Sequence, residues 1–186
     1  AEEENEQKIW KSISKFHPDF FVFLGDNVYG DIHNNKKIKD PDLYIKSLEN
    51  SYDFSKKYQV AQNIFKKNIL HYAIWDDHDF GGNNSNSQFI HKDLSKKLFL
   101  KYWDIKKTDV RYKREGIYFA NTFSHNNNKL QLILLDTRFF KSSLIEANNR
   151  NTLLGIEQWN WLEKEVKKNV DVRIIASSIQ IISQDH

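Results

Sequence analysis

Three short apolar runs in this chain each end abruptly in ionisable residues. Phe20-Phe21-Val22-Phe23-Leu24 gives way to Gly25-Asp26-Asn27-Val28-Tyr29, His71-Tyr72-Ala73-Ile74-Trp75 gives way to Asp76-Asp77-His78-Asp79, and residues 130–135 give way to Asp136-Thr137-Arg138. Runs of this length read as strands, and continuous apolarity suits strands covered on both faces. A core has no use for the charged tails. In open α/β sheets the loops at the carboxyl ends of strands surround a crevice and hold functional groups on a rigid frame. The three tails therefore converge if their strands are parallel neighbours.

The segments between these strands carry helical patterns. Residues 3–14 read as a first helix and residues 19–24 as a strand. Asp40-Pro41 has the form of a helix start, Asp as N-cap and Pro at the first helical position, opening a helical stretch to about residue 67 with a break near Asp53. Residues 69–75 read as a strand. Phe89, Ile90, Leu94, Leu98, Phe99, Tyr102 and Trp103 recur at helical spacing, which predicts a helix over 88–103 with one apolar face. Residues 116–123 and 129–135 form an antiparallel pair around a polar turn at 124–128. Ile156, Trp159, Leu162 and Val166 predict a helix over 155–169, and residues 172–178 a last buried strand. Trp103, Trp159 and Trp161 sit at core spacing. Asn pairs at 34–35, 83–84, 126–128 and 148–149 punctuate the chain as turns, since Asn bonds local backbone and tolerates positive φ. The alternation is that of an α/β fold, and without repeats or a Gly/Ser/Pro-rich linker it reads as one continuous unit.

Composition removes several classes of function. With 186 residues, 39% of them hydrophobic, and five Trp, eight Tyr and thirteen Phe, the chain has ample area for one core and is unlike a disordered sequence. No apolar run approaches the roughly 18 residues of a membrane span, and the acidic, polar start is unlike a secretory signal, so the compartment is not specified. Cysteine is absent, which removes disulfides, thiolate metal sites and cysteine nucleophiles together. The net charge of +3 comes from Lys pairs such as Lys56-Lys57, Lys66-Lys67 and Lys167-Lys168, which read as solvated faces; nucleic acid is not expected as a dedicated partner.

The acidic tails admit two readings. Gly-Asp after a strand is common turn chemistry, and Asp26 alone would serve that use. Asp76-Asp77-His78-Asp79 is costlier: four ionisable residues directly after a buried strand must be solvated or bound to metal. Carboxylates that face one another raise each other's pKa unless cations neutralise them, and the donors here are oxygen and imidazole. Paired metals bind the oxygens of a phosphate ester and lower the pKa of water, and a nearby protonated His can hand a proton to the leaving alkoxide.

The chain resembles the PhoD-like (alkaline phosphatase D) branch of the calcineurin-like metallophosphatases. The resemblance rests on residues 18–31, running Pro-Asp-Phe-Phe-Val-Phe-Leu-Gly-Asp-Asn-Val-Tyr-Gly-Asp, and on Trp75-Asp76-Asp77-His78-Asp79-Phe80-Gly81-Gly82-Asn83-Asn84. Leu134-Leu135-Asp136-Thr137-Arg138, residues 154–162 and Ile175-Ala176-Ser177-Ser178-Ile179-Gln180 follow in the family's order. It implies an α/β/β/α sandwich and a metallophosphoesterase acting on phosphate mono- or diesters through a metal-activated water. It further implies two or more metal ions, drawn from iron, calcium, manganese and zinc. Asp26 then corresponds to a metal-bridging carboxylate, Tyr29 to a phenolate ligand, Asp77 to a metal ligand that approaches phosphate, and His78 to the proton donor or transition-state stabiliser. Asp76 and Asp79 would orient His78 or a ligand. Arg138 either clamps a phosphate oxygen or pairs with Asp136 to pin the strand end. Asn83 and Asn84 either contact metal or substrate or serve as a turn. His17, His33, His71, His91 and His125 match no motif.

Two family segments have no counterpart: an early strand with a Gly-Ser-Cys ligand pattern and a late Gly-Asp-Val-His block. Residues 1–186 are therefore expected to be a partial domain, incomplete at both termini. The rival expectation is a noncatalytic remnant of the fold that acts as an interaction module. An extracytoplasmic setting follows from the resemblance alone.

Overall fold

The computed structural model describes residues 7–33, 36–143 and 152–181. Four layers stack in the order helices, sheet, sheet, helix. The first sheet pairs β1 (Phe20–Leu24) with β4 (Leu70–Ile74), parallel and in the register Phe20↔Leu70 through Leu24↔Ile74. The second places β6 (Asn128–Leu134) between β5 (Phe119–His125), antiparallel to it, and β7 (Val172–Ala176), parallel to it. A short antiparallel pair, β2 (Ile32–His33) with β3 (Lys36–Lys37), projects from the loop after β1.

Side-chain alternation along the strands decides what each face meets. Phe21 and Phe23 of β1 turn to one side, against Trp10 of α1 (Ile9–Ser14) and Phe65 of α3 (Val60–Asn68), with ring centroids 4.9–5.8 Å apart. On the same side Trp103, just past α4 (Lys92–Tyr102), meets Phe23, and Phe99 meets Trp75. Phe20 and Tyr72 face the other way, onto Phe123 of β5, and Asn121 donates to the Tyr72 hydroxyl at 2.8 Å. Beyond β6, Ile133 and Leu135 pack on Leu154 and on Leu162 of α5 (Gly155–Val166). The α/β/β/α order is thus written into which aromatic rings alternate.

Local chemistry sets most boundaries. Asp40 caps α2 (Pro41–Tyr58) by accepting from Leu43 N at 2.9 Å, with Pro41 at the first position. The β5–β6 turn falls on Asn126 and Asn127, both at positive φ (47° and 64°), the left-handed pair that a two-residue hairpin turn requires. The Asn pairs at 34–35 and 148–149 lie outside the described residues.

Several boundaries and burials differ from expectation. The break in the long helical stretch falls at Gln59, not Asp53, because Gln59 leaves helical geometry (ψ 60°) and is itself buried. Residues 88–91 form turns before α4, and Ile90 is exposed. Ile156 and Trp159 are exposed, so Trp159 is not core; α5 turns Gln158, Leu162 and Glu165 inward instead, since Gln158 and Glu165 find partners on β6 and its tail. The last strand stops at Ala176 and is largely exposed. With Val22 and Leu24 it borders an apolar cavity of about 570 Å³, which no described element fills. No helix among the described residues is long and apolar enough to cross a membrane.

Candidate metal and phosphoester site

The loops after β1 and β4 come together because one of them gives up its side chain. Gly25 takes φ +109°, and a Cβ there would lie 2.7 Å from both the backbone N and the Cβ of Asp76. Only glycine permits that approach. Asp26 follows at φ 50°, an unfavourable conformation for a non-glycine residue, and this turns its carboxylate toward the β4 loop. Carboxylate oxygens of Asp26 and Asp77 and a ring nitrogen of His78 then lie within 4.8 Å of one another.

Backbone and side-chain bonds fix the β4 loop around this point. Asp77 accepts from His78 N (3.0 Å) and Asn84 N (2.6 Å), while its own carbonyl takes the N–H groups of Phe80, Gly81 and Gly82. The His78 carbonyl accepts from Gly30 N and from the buried Tyr44 hydroxyl, each at 3.0 Å. The His78 ring stacks on Tyr29, centroids 4.2 Å apart, and its Nδ1 meets Asp31 Oδ1 at 2.6 Å. A carboxylate accepts, so this contact assigns the proton to Nδ1 and leaves Nε2 as the nitrogen that exchanges protons or ligates.

The electrostatics are those of a site in which carboxylates outnumber the positive groups beside them. Burial raises the Asp26 pKa; His78 opposes the rise, and Asp76 and Asp77 add to it. Asp26 Oδ1 is buried with no hydrogen-bond partner. Tyr29 donates to Asp26 Oδ2 at 3.2 Å, and burial followed by the Asp26 charge pushes its phenol up to about 12. A cation beside Oδ1 would relieve each of these penalties, and oxygen plus imidazole is a donor set that hard and borderline metals accept. The residues present fit a metal.

Of the residues expected at the site, Asp26, Tyr29, Asp77 and His78 converge. Arg138 also reaches it, but not by pairing with Asp136. Its Nε donates to Asp76 Oδ1 at 2.6 Å, and its second terminal nitrogen lies 3.8 Å from Asp77 Oδ2. Asp136 is occupied elsewhere, accepting from Trp75 Nε1 (2.8 Å) and from the backbone of Ile117, Arg138 and Phe139. Asp79 does not touch His78 through its side chain; it accepts from Asn27 N, Asn27 Nδ2 and Asp76 N, tying the two loops together. Asn83 and Asn84 lie in a turn whose backbone N–H groups bond Asp31 and Asp77.

Three contributors lie within the family-like blocks but were given no role by the sequence. Asp31 orients His78 across 47 residues. Ser178 donates to Asp76 Oδ1 at 2.9 Å from the tail of β7, and Thr137 meets the Ser178 hydroxyl at 2.5 Å. Short hydroxyl and carboxylate side chains in loops have no periodicity, and only the juxtaposition of strand ends reveals them.

Comparison with known proteins agrees with this architecture. The model of the family described as PhoD-like phosphatase matches residues 2–186. Among solved structures, one titled "Structure of PhoD" superposes with a TM-score of 0.66 at 17% sequence identity, covering 94% of this chain. The chain spans 39% of that protein's length. No curated protein matches the sequence.

Proposed function

Because the chain belongs to the PhoD-like phosphatase family, we propose that its cluster of Asp26, Asp77 and His78 is part of a metal-dependent site that hydrolyses phosphate mono- or diesters. The observation that carries this reading is the meeting of those three side chains within 4.8 Å, with a buried, unpartnered Asp26 oxygen among them. Asp26 and Asp77 would hold two or more cations, with Tyr29 as a further ligand; iron, calcium, manganese and zinc suit an oxygen-rich set. When bound, such ions supply charge neutralisation for the ester oxygens and lower the pKa of water.

The chain's own groups do the rest. As a water oxygen forms the new bond to phosphorus and releases its proton to solvent, the ester P–O bond breaks and His78 gives the proton on Nε2 to the departing alkoxide, to be reprotonated from solvent afterwards. Asp31 holds the opposite ring nitrogen and stabilises the charged ring through its carboxylate. Asn84 N and His78 N keep Asp77 in place. Arg138 acts through Asp76 and Asp77, to which its guanidinium is committed, rather than as a freely mobile clamp.

Metal analysis of the purified chain, paired with hydrolysis of p-nitrophenyl phosphate and its bis-ester, tests the proposal. Asp26→Asn should lose both bound metal and turnover. His78→Ala should keep its metal and lose about 10²–10⁴ in rate. Turnover unchanged in both variants would overturn the reading, and stoichiometric metal without any turnover in the parent chain would assign a binding role instead.

A further inference from the structure

At the opposite end of β4 from Asp76, about 16 Å along the strand, lies a second cavity, of about 330 Å³. The end of α2 contributes Lys56, α3 contributes Lys66 and Lys67, and β4 contributes His71. The aromatic wall is Tyr102 and Trp103, and Asp104 is the sole carboxylate at the rim.

Helix ends explain part of this charge. Lys56, Lys57, Lys66 and Lys67 occupy last turns, where ammonium groups offset the partial negative charge of the terminal carbonyls. That role suits Lys67, which is exposed, but not Lys66, which is drawn inward. Lys66 Nζ lies 4.3 Å from the ring centroid of Tyr102 and 5.0 Å from that of Trp103, and donates to the Tyr102 hydroxyl at 3.3 Å. No carboxylate lies within 4.0 Å of it among the described residues. Burial is the chief reason its pKa falls to about 8; repulsion from Lys56 adds to the fall and Asp104 opposes it. The buried indole Nε1–H of Trp103 has no acceptor among the described residues. A half-withdrawn ammonium that shares its cavity wall with Lys56 and Lys67 and has no carboxylate against it is the arrangement of a site that takes its counter-charge from a ligand.

We propose that this cavity binds a small multivalent oxyanion of the phosphate class, held by Lys66 with Lys56 and Lys67, at a place separate from the Asp26–His78 cluster. The volume exceeds that of a bare phosphate, leaving room beside the Tyr102 and Trp103 wall for an organic substituent.

The test follows the indole N–H resonance of Trp103, assigned with Trp103→Phe, while inorganic phosphate is added to the full 186-residue chain. The expected result is a saturable shift at millimolar phosphate, retained in Asp26→Asn and weakened at least tenfold in Lys66→Met. Thermal unfolding of Lys66→Met checks that the variant is folded. A parallel titration with phenylphosphonate, which is not hydrolysed, separates the sources: tighter saturation assigns an organic phosphate, equal or weaker saturation the free anion. A shift reproduced by chloride at matched ionic strength, or one that persists in Lys66→Met, would overturn the proposal.

Discussion

Asp79 binds Asn27 twice, accepting the backbone N–H at 3.2 Å and the side-chain amide at 2.7 Å through one carboxylate oxygen, while its other oxygen takes the backbone N–H of Asp76 at 2.6 Å. A single buried carboxylate thus ties the loop after β1 to the loop after β4. Removing it in Asp79→Ala takes the acceptor from three part-buried N–H groups, of which the Asn27 amide keeps the Ile74 carbonyl at 2.9 Å, and should cost about 2 kcal/mol of stability, read from the urea midpoint. Asp79→Asn, nearly the same shape, should cost less.

The same residue gives a pH dependence. Burial pushes Asp79 from its ordinary value of 3.8 up to about 8, against the pull of its N–H donors. Between those limits the native chain holds a proton that the unfolded chain has lost, so stability in chelator should fall as pH rises from about 4 to about 8. Asp79→Asn should flatten that slope.

Metal removal should reverse the sign of one substitution. With chelator present, Asp26→Asn removes a half-buried carboxylate that is disfavoured first by burial and then by Asp76 and Asp77, and should raise the unfolding midpoint. With saturating metal it should lower the midpoint relative to the parent chain, because the ligand is lost. An effect of the same sign in both buffers would contradict the assignment of Asp26 as a ligand.

Asp31→Asn tests positioning. The amide keeps the size but loses the charge that favours the protonated ring, so turnover should fall about 10–100-fold with metal content unchanged. A loss of turnover without loss of metal is a change that a purely structural role in the metal site would not produce.

Lys66 supplies a second linkage of opposite sense. Its native pKa, about 8, lies below the ordinary 10.5, with burial the main cause and Lys56 and Asp104 acting against each other. The native chain therefore binds fewer protons between about 8 and 10.5, and stability should climb with pH across that window. Lys66→Met should abolish the climb and, at pH 7 without phosphate, stabilise the chain by about 1–3 kcal/mol.

The α/β alternation was legible in the sequence because strands and helices obey simple periodicities, while the layer order and the roles within the cluster came from the family resemblance. Apolar runs gave β1, β4 and β6, Asp40-Pro41 gave the start of α2, and the Asn pair gave the hairpin turn. Asp26, Asp77 and His78 stood out as ionisable residues just after strands, and Tyr29 through the family resemblance. What escaped was set by tertiary pairing. Trp159 has the spacing of a core residue, yet α5 turns Gln158 inward because Gln158 exchanges bonds with the Asp136 backbone. Arg138 follows Asp136 by two positions, yet Asp136 is already committed to four N–H donors, so the guanidinium swings to Asp76. Asp31 and Ser178 belong to loops whose partners lie 47 and 102 residues away.

The Trp75–Asp136 bond crosses from one sheet to the other. Asp136 also grips Ile117, just before β5, and Arg138, whose head lies beside Asp76. Any slippage of one sheet over the other would therefore drag the guanidinium off its carboxylate. Outer helices and the hairpin tip are free to diverge without loosening the cluster, whereas the spacing between the two sheets is calibrated at this indole and cannot drift.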